Sequence, residues 1–378
     1  MNEDIPKTVP VRTILAVVIG VLVIGGAVGA FFFFRSQTAT YSDTRTVLEV
    51  LRQTNQDFSD GTSYVKQGKY ADALESYTKA LANAKDSSQE GQIRFAIGRM
   101  YEQLGRYSDA IAAFKAIAAE ERYYALIRAY AVQELGAMYH LYYADLATIT
   151  AETFKDEPYA SFKKNADYDT AYRKLFEYAT SIYPLAYSES FVAYGYTKAL
   201  VSIKGATTTS QGQQYVASIA TALQRADADF PRLAKNHDEQ LYAPSVLSRE
   251  AIVTGYLVRV GVPGYTNGAA ESLYNRALQY SATIGLKPGN FVVYHYALLL
   301  ARAYGKERAT DLHTLLAVFS EKNGEKIAPE VPVFFKAVLT DPSQVSEKAN
   351  VKLLGKLDPD FKAYLLSLGW HASDFSGT

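Results

Sequence analysis

The chain has 378 residues, no cysteine, and 39 Lys plus Arg against 39 Asp plus Glu. The missing thiols exclude disulfides, a thiol nucleophile and cysteine-ligated zinc, and the balanced charge argues against a nucleic-acid binder, which normally carries a basic face. The length suffices for a large core or for two domains.

Residues 1–12 form a short polar tail containing Lys7, Arg12 and two prolines. Residues 13–34 then run without a charge, from Thr13 to Phe34. About 20 apolar residues cross a bilayer, so 13–34 is predicted to be a transmembrane helix, closed by Arg35. The rival reading is a cleaved signal peptide with Val28-Gly-Ala30 as the processing site. The run is long for that purpose, and four phenylalanines would follow the cut. Gly25 and Gly29 have the spacing that lets two membrane helices touch closely, which makes a homodimer through this helix an expectation. The plain alternative is that glycine is common in spans. Lys7 and Arg12 precede the span while Arg35, Arg45 and Arg52 follow it, so the positive-inside comparison is weak. A short tail ahead of the first apolar segment commonly yields a signal anchor, which puts the rest of the chain outside the cytoplasm.

Residues 35–52 read as a polar tether. From 53 to 150 one helical hairpin pattern recurs. Gly61, Tyr64, Gly68, Tyr70, Ala73, Tyr77 and Ala80 are matched by Gly98, Tyr101, Gly105, Tyr107, Ala110, Phe114 and Ile117, each 37 residues later. The early glycines would admit a neighbouring helix, and Gly68 and Gly105 are helix stops where a left-handed residue is cheap. The small and aromatic positions recur at three and four residues, the helical period. A hairpin of this kind cannot bury its apolar face alone, so copies must stack. Val132, Leu135, Gly136 and Tyr139 repeat helix one, with Gly136 38 residues past Gly98. The second helix of that copy has no glycine stop before it, and 151–165 reads as a polar loop.

The pattern resembles the tetratricopeptide repeat (TPR). Asp57 and Arg94 depart from the large early residue of that family, and Asp60 stands where a leucine is usual. The resemblance implies a TPR-like α-solenoid, so with the apolar 13–34 run the expected fold is all-α: an N-terminal transmembrane helix followed by that solenoid. It further implies that helix one of each hairpin lines a concave face that holds protein partners. The positions it places there are Asn55, Phe58 and Lys66 in the first copy, Phe95, Arg99 and Gln103 in the second, and Tyr130, Gln133 and His140 in the third. For Phe58 and Phe95, packing against a neighbouring helix is an equal alternative.

Residues 151–378 read as divergent helical repeats. Helices are predicted over 169–181 and 188–203, around Pro184, and over 213–229, ending before Pro231. A further hairpin is expected from Gly255, with Ala270, Tyr274 and Ala277 spaced like Ala73, Tyr77 and Ala80. Helices are also expected over 291–305 and 307–322. Asp341-Pro342 and Asp358-Pro359 start two C-terminal capping helices.

No motif carries chemistry. The histidines at 140, 237, 295, 313 and 371 lack ligand-like spacing, and there is no phosphate-binding loop or nucleophile elbow. No cofactor or metal is expected, and the chain is not read as an enzyme. The expected role is a membrane-tethered TPR scaffold that binds a protein partner in assembly or secretion at the cell envelope. A structural subunit of a larger membrane or surface complex is the alternative, with an enzyme in the C-terminal half a third class.

Overall fold

The computed structural model describes residues 43–311, apart from 142–144, 165, 237–238 and scattered positions within 287–310. The expected membrane span at 13–34, with Gly25 and Gly29, lies outside these residues, as do the C-terminal capping helices. The described residues form helices and no strand, and no helix among them is long and apolar enough to cross a membrane. The chain divides into two compact units, 1–104 and 105–378.

The first unit contains α1 (Asp43–Thr54), α2 (Gln56–Lys66), α3 (Tyr70–Ala82) and α4 (Ser87–Gln103). The expected tether therefore holds a helix over most of its length, and Val47, Leu48 and Leu51 of α1 pack into the core. Asn55 ends α1 and starts α2. Its side chain accepts from Phe58 N at 3.1 Å, and its amide donates to the Ala80 carbonyl at 3.0 Å. Such a cap satisfies one of the amides that every helix start leaves open. Gly68 takes the left-handed backbone, φ 71°, and the chain closes α2 through Gly68 N to Val65 O and Lys69 N to Tyr64 O, at 3.0 and 2.9 Å. This pair of bonds needs a positive φ at its centre, which an L side chain resists.

The α2/α3 hairpin packs as its spacing predicts. Ala73, Tyr77 and Ala80 are buried, and the Tyr77 ring lies 5.1 Å from Phe58. A Cβ added at Gly61 would lie 2.7 Å from the Tyr77 ring. Only glycine leaves room for that approach. Ile93 and Met100 of α4 complete the same apolar cluster.

The second unit contains α5 (Tyr107–Ala119), α6 (Ala125–Leu141), α7 (Leu146–Thr153), α8 (Tyr159–Lys163), α9 (Tyr168–Ile182), α10 (Ala186–Val201), α11 (Ser210–Lys235), α12 (Ala243–Arg259) and α13 (Asn267–Thr283), with 3-10 turns at Gln240–Tyr242 and Gly305–Arg308. In this unit α6 packs on α9, α9 on α10, α10 on α11 and α12, and α12 on α13.

The second helix of the α6 hairpin is α9, and α7 and α8 are inserted between them. Gly136 fixes the correspondence. A Cβ there would meet the Phe176 ring at 3.0 Å, as one at Gly61 would meet Tyr77. Tyr172, Phe176 and Ala179 then stand where Ala73, Tyr77 and Ala80 stand in the first hairpin, and all three are fully buried. The residues read as a polar loop, 151–165, include the end of α7 and all of α8, whose Tyr159 is buried.

The α12/α13 pair is a further hairpin with the expected buried set of Ala270, Tyr274 and Ala277. Its turn bonds, Gly261 N to Val258 O and Val262 N to Leu257 O, repeat those at Gly68. They align Gly261 with Gly68 and hence Thr254, rather than Gly255, with Gly61. Helix α11 also departs from expectation, since it continues through Pro231 to Lys235. A proline removes one helical donor. Here the last turn is held instead by Arg232, which reaches Asp229, Glu239 and Tyr130.

Candidate functional site

The nine positions that the resemblance assigns to partner binding meet different fates. In the first unit Lys66 and Gln103 are exposed, while Phe95 and Arg99 are half-buried. Arg99 pairs with Glu102 one turn on, at 3.3 Å. Asn55 is a correction, buried by its capping role, and Phe58 takes the packing alternative, 3 % exposed within the core. Neither is a free contact. Of the positions assigned in this unit, Lys66 on α2 and Phe95, Arg99 and Gln103 on α4 remain at least partly in solvent.

In the second unit the three positions on α6 are engaged within the chain. The Tyr130 hydroxyl accepts from Arg232 Nη1 at 2.8 Å. That guanidinium also binds Asp229 through Nε at 2.6 Å and Glu239 through Nη1 at 2.7 Å. Asp229 in turn accepts from Ala186 N at 2.7 Å, at the start of α10. A buried charge is tolerated when it is paired and hydrogen-bonded in this way. Gln133 is 3 % exposed and accepts from Ser188 Oγ at 3.0 Å. His140 packs among Tyr172 and Phe191, with ring centroids 4.9 and 5.0 Å away. The Tyr168 hydroxyl donates to its carbonyl at 3.0 Å. Burial, aided by Arg249 and Lys198, holds the His140 imidazole down at about 3, so it is neutral at pH 7. The expected inner face of the third copy is thus filled by α9, α10 and α11.

The same unit buries carboxylates that no spacing announces. Glu189 on α10 is 1 % exposed and Glu250 on α12 is 4 % exposed. Burial pushes both carboxyls up to about 8, in Glu189 against the pull of Arg225 and in Glu250 with Asp227 adding to the rise. Each has an Oε1 with no hydrogen-bond partner. Arg249, also buried, lies 3.5 Å from the Phe191 ring centroid and donates to Ser190 Oγ at 2.8 Å. Such positions read in sequence as ordinary polar helix residues, because their partners lie tens of residues away. Among the described residues no group of three or more His, Asp or Glu is placed to hold a metal ion.

The profile of the tetratricopeptide repeat family matches residues 60–125. No curated protein and no solved structure matches the chain. Repeats of this family generally mediate protein–protein interaction, and the hairpin geometry at 56–82, with its stop at Gly68 and its glycine–tyrosine contact, agrees with the family pattern found there.

Proposed function

We propose that this chain is a membrane-tethered scaffold that binds a protein partner in assembly or secretion at the cell envelope. Its repeats would stand outside the cytoplasm, and Thr13–Phe34 would be the single span. The observation that carries the partner-binding part is the repeat match over 60–125 together with polar side chains of α2 and α4 left in solvent at Lys66 and Gln103. Support for the tether is the uncharged 13–34 run, and support for self-association through it is the Gly25 and Gly29 pair.

The test uses the full chain in detergent as bait for co-purifying protein. Lys66→Ala with Gln103→Ala should weaken the recovered partner's affinity by about tenfold or more, which is about 1.4 kcal/mol. Lys79→Ala, on the outer helix α3 and 60 % exposed, is the control and should leave affinity unchanged. If only the control weakens binding, the first unit does not bind through α2 and α4. Orientation is tested separately, with a reporter active only outside the cytoplasm fused after Thr378. A silent reporter refutes the extracytoplasmic placement.

A further inference from the structure

A cleft of about 380 Å³ opens in the second unit, lined by α9, α10 and α11. Val192 and the Tyr196 ring on α10 and Ala222 on α11 give it apolar walls. Two carboxylates also line it, Glu189 and Glu177. Glu189 Oε1 lies 3.6 Å from Arg225 Nη1, and Glu177 Oε1 lies 3.6 Å from Arg173 Nε. Both separations are too long for a hydrogen bond, and neither oxygen has another hydrogen-bond partner. The other oxygen of Glu177 takes Lys174 Nζ at 2.8 Å. Two acceptors therefore border the cleft with unused capacity, a costly state for buried oxygens.

The cationic neighbours are held differently. The Arg173 guanidinium is stacked on the Tyr196 ring at 4.1 Å and is 9 % exposed, so it is fixed. The Arg225 side chain is 43 % exposed, and its contact with Glu189 is the long one of 3.6 Å, so it has room to swing outward. A long side chain with an apolar stem and a cationic, multi-donor head fits what remains.

We propose that this cleft takes a basic side chain, lysine or arginine, from an extended segment of a protein partner, with Glu189 and Glu177 as acceptors and Arg225 displaced from Glu189. The proposal rests on the protein-binding reading above and adds the chemistry of one contact. The stem lies along Val192, Ala222 and Tyr196, and the head replaces Arg225. Charged groups acting on Glu189 are Arg225 and Asp229 from α11 and Glu177 from α9; Tyr196 on its own helix lines the same cleft. Burial keeps Glu189 up at about 8, so an incoming cation must drive its proton off. Binding then tightens as pH rises from 6 to 8.

The test titrates the full chain in detergent with a fluorescein-labelled peptide of alternating lysine and serine, read by anisotropy. A matched peptide with norleucine at each lysine keeps the stem and removes the charge. The lysine peptide should bind at least about tenfold tighter than the norleucine peptide. Glu189→Gln should weaken the lysine peptide by a similar factor, and Arg225→Ala should tighten it. Should Glu189→Gln prove poorly folded, Ser218→Trp on the rim fills the cleft from α11 and should abolish binding. Equal affinity for the two peptides, unchanged affinity in Glu189→Gln or Ser218→Trp, weakening in Arg225→Ala, or a flat pH profile overturns the proposal. Partner capture that survives the cleft variants overturns the cleft alone. Capture lost in every wild-type trial while the lysine peptide still binds tells against the wider partner reading and leaves the cleft standing.

Discussion

The α2/α3 hairpin of the first unit and the α6/α9 pair of the second share one register but not one fate. Both set a glycine of helix one against an aromatic of helix two, Gly61 against Tyr77 and Gly136 against Phe176. Both bury the flanking helix-two positions. In that register Tyr130 and Gln133 stand where Asn55 and Phe58 stand, and the cover differs: Asn55 and Phe58 are buried within their own hairpin, against Ala80 and Tyr77, whereas Tyr130 and Gln133 are bound by Arg232 and Ser188 from beyond it. Register decides which face a residue occupies. What covers that face is decided by the neighbouring helices, and those lie far away in sequence.

The comparison breaks most sharply at the aromatic keystone of the second unit. Phe176→Ala should cost about 3–5 kcal/mol, the usual price of emptying a core aromatic site. A loss below about 1 kcal/mol by denaturant unfolding would show that α9 is not the second helix of this hairpin. Next come the close approaches. Gly61→Leu and Gly136→Leu should each destabilise by about 1–3 kcal/mol through overpacking. Ser108→Leu, at an exposed site on α5, should stay within about 0.5 kcal/mol, and equal melting temperatures for all three variants contradict the shared register.

Tyr130→Phe isolates the feature that separates the two units. It removes the acceptor of Arg232 Nη1 while Asp229 and Glu239 remain, so a loss of about 1–2 kcal/mol is expected. An unchanged melting curve would mean that the inner face of α6 is only loosely covered. A titration sharpens the same point. Glu250 has its carboxyl raised to about 8 against an ordinary 4.5. A raised folded value gives stability that is complete below 4.5 and lost as pH climbs through 8. Glu250→Gln removes that loss, so the variant's melting temperature should gain on the parent steadily from pH 5 to pH 8. His140 runs the other way: with its folded value lowered to about 3, its contribution is present above 6.5 and lost as pH falls. A Glu250→Gln difference that does not change with pH would refute the burial argument. The smallest effect belongs to the first unit, where Lys66→Ala with Gln103→Ala should alter stability by no more than about 0.5 kcal/mol.

Much of the fold was legible because local rules and spacing agreed. The glycine stops and the Ala-aromatic-Ala spacing point to the same hairpin, whereas Asn55, expected on the partner-binding face, is its cap. The α6/α9 pairing was hidden because 26 residues separate Leu141 from Tyr168, and Tyr172 stands where the pattern has a small residue. Gly255 misled by one position, since the turn bonds and not the glycine fix the register. The helix within 35–52 was masked by its polar composition, although Val47, Leu48 and Leu51 are spaced to share a face. Pro231 reads as a stop, and only the side chains gathered around Arg232 show why the helix passes it. The candidate contact surface was least legible. Tyr130 and Arg232 are 102 residues apart, and no pattern along the chain couples them.

The insertion between α6 and α9 has a consequence for how such a chain acquires new parts. The first hairpin joins its helices with three residues, 67–69, and the third with the 26 of 142–167. Closure entropy rises only with the logarithm of loop length, so roughly three doublings cost about 2 kcal/mol. The Gly136–Phe176 contact and the buried rings around it outweigh that amount. The hairpin tip is therefore a graft point, where a segment as long as α7 and α8 can be spliced in while the helix pair beneath keeps its register. A foreign epitope or a second module placed at residues 67–69 should be carried in the same way.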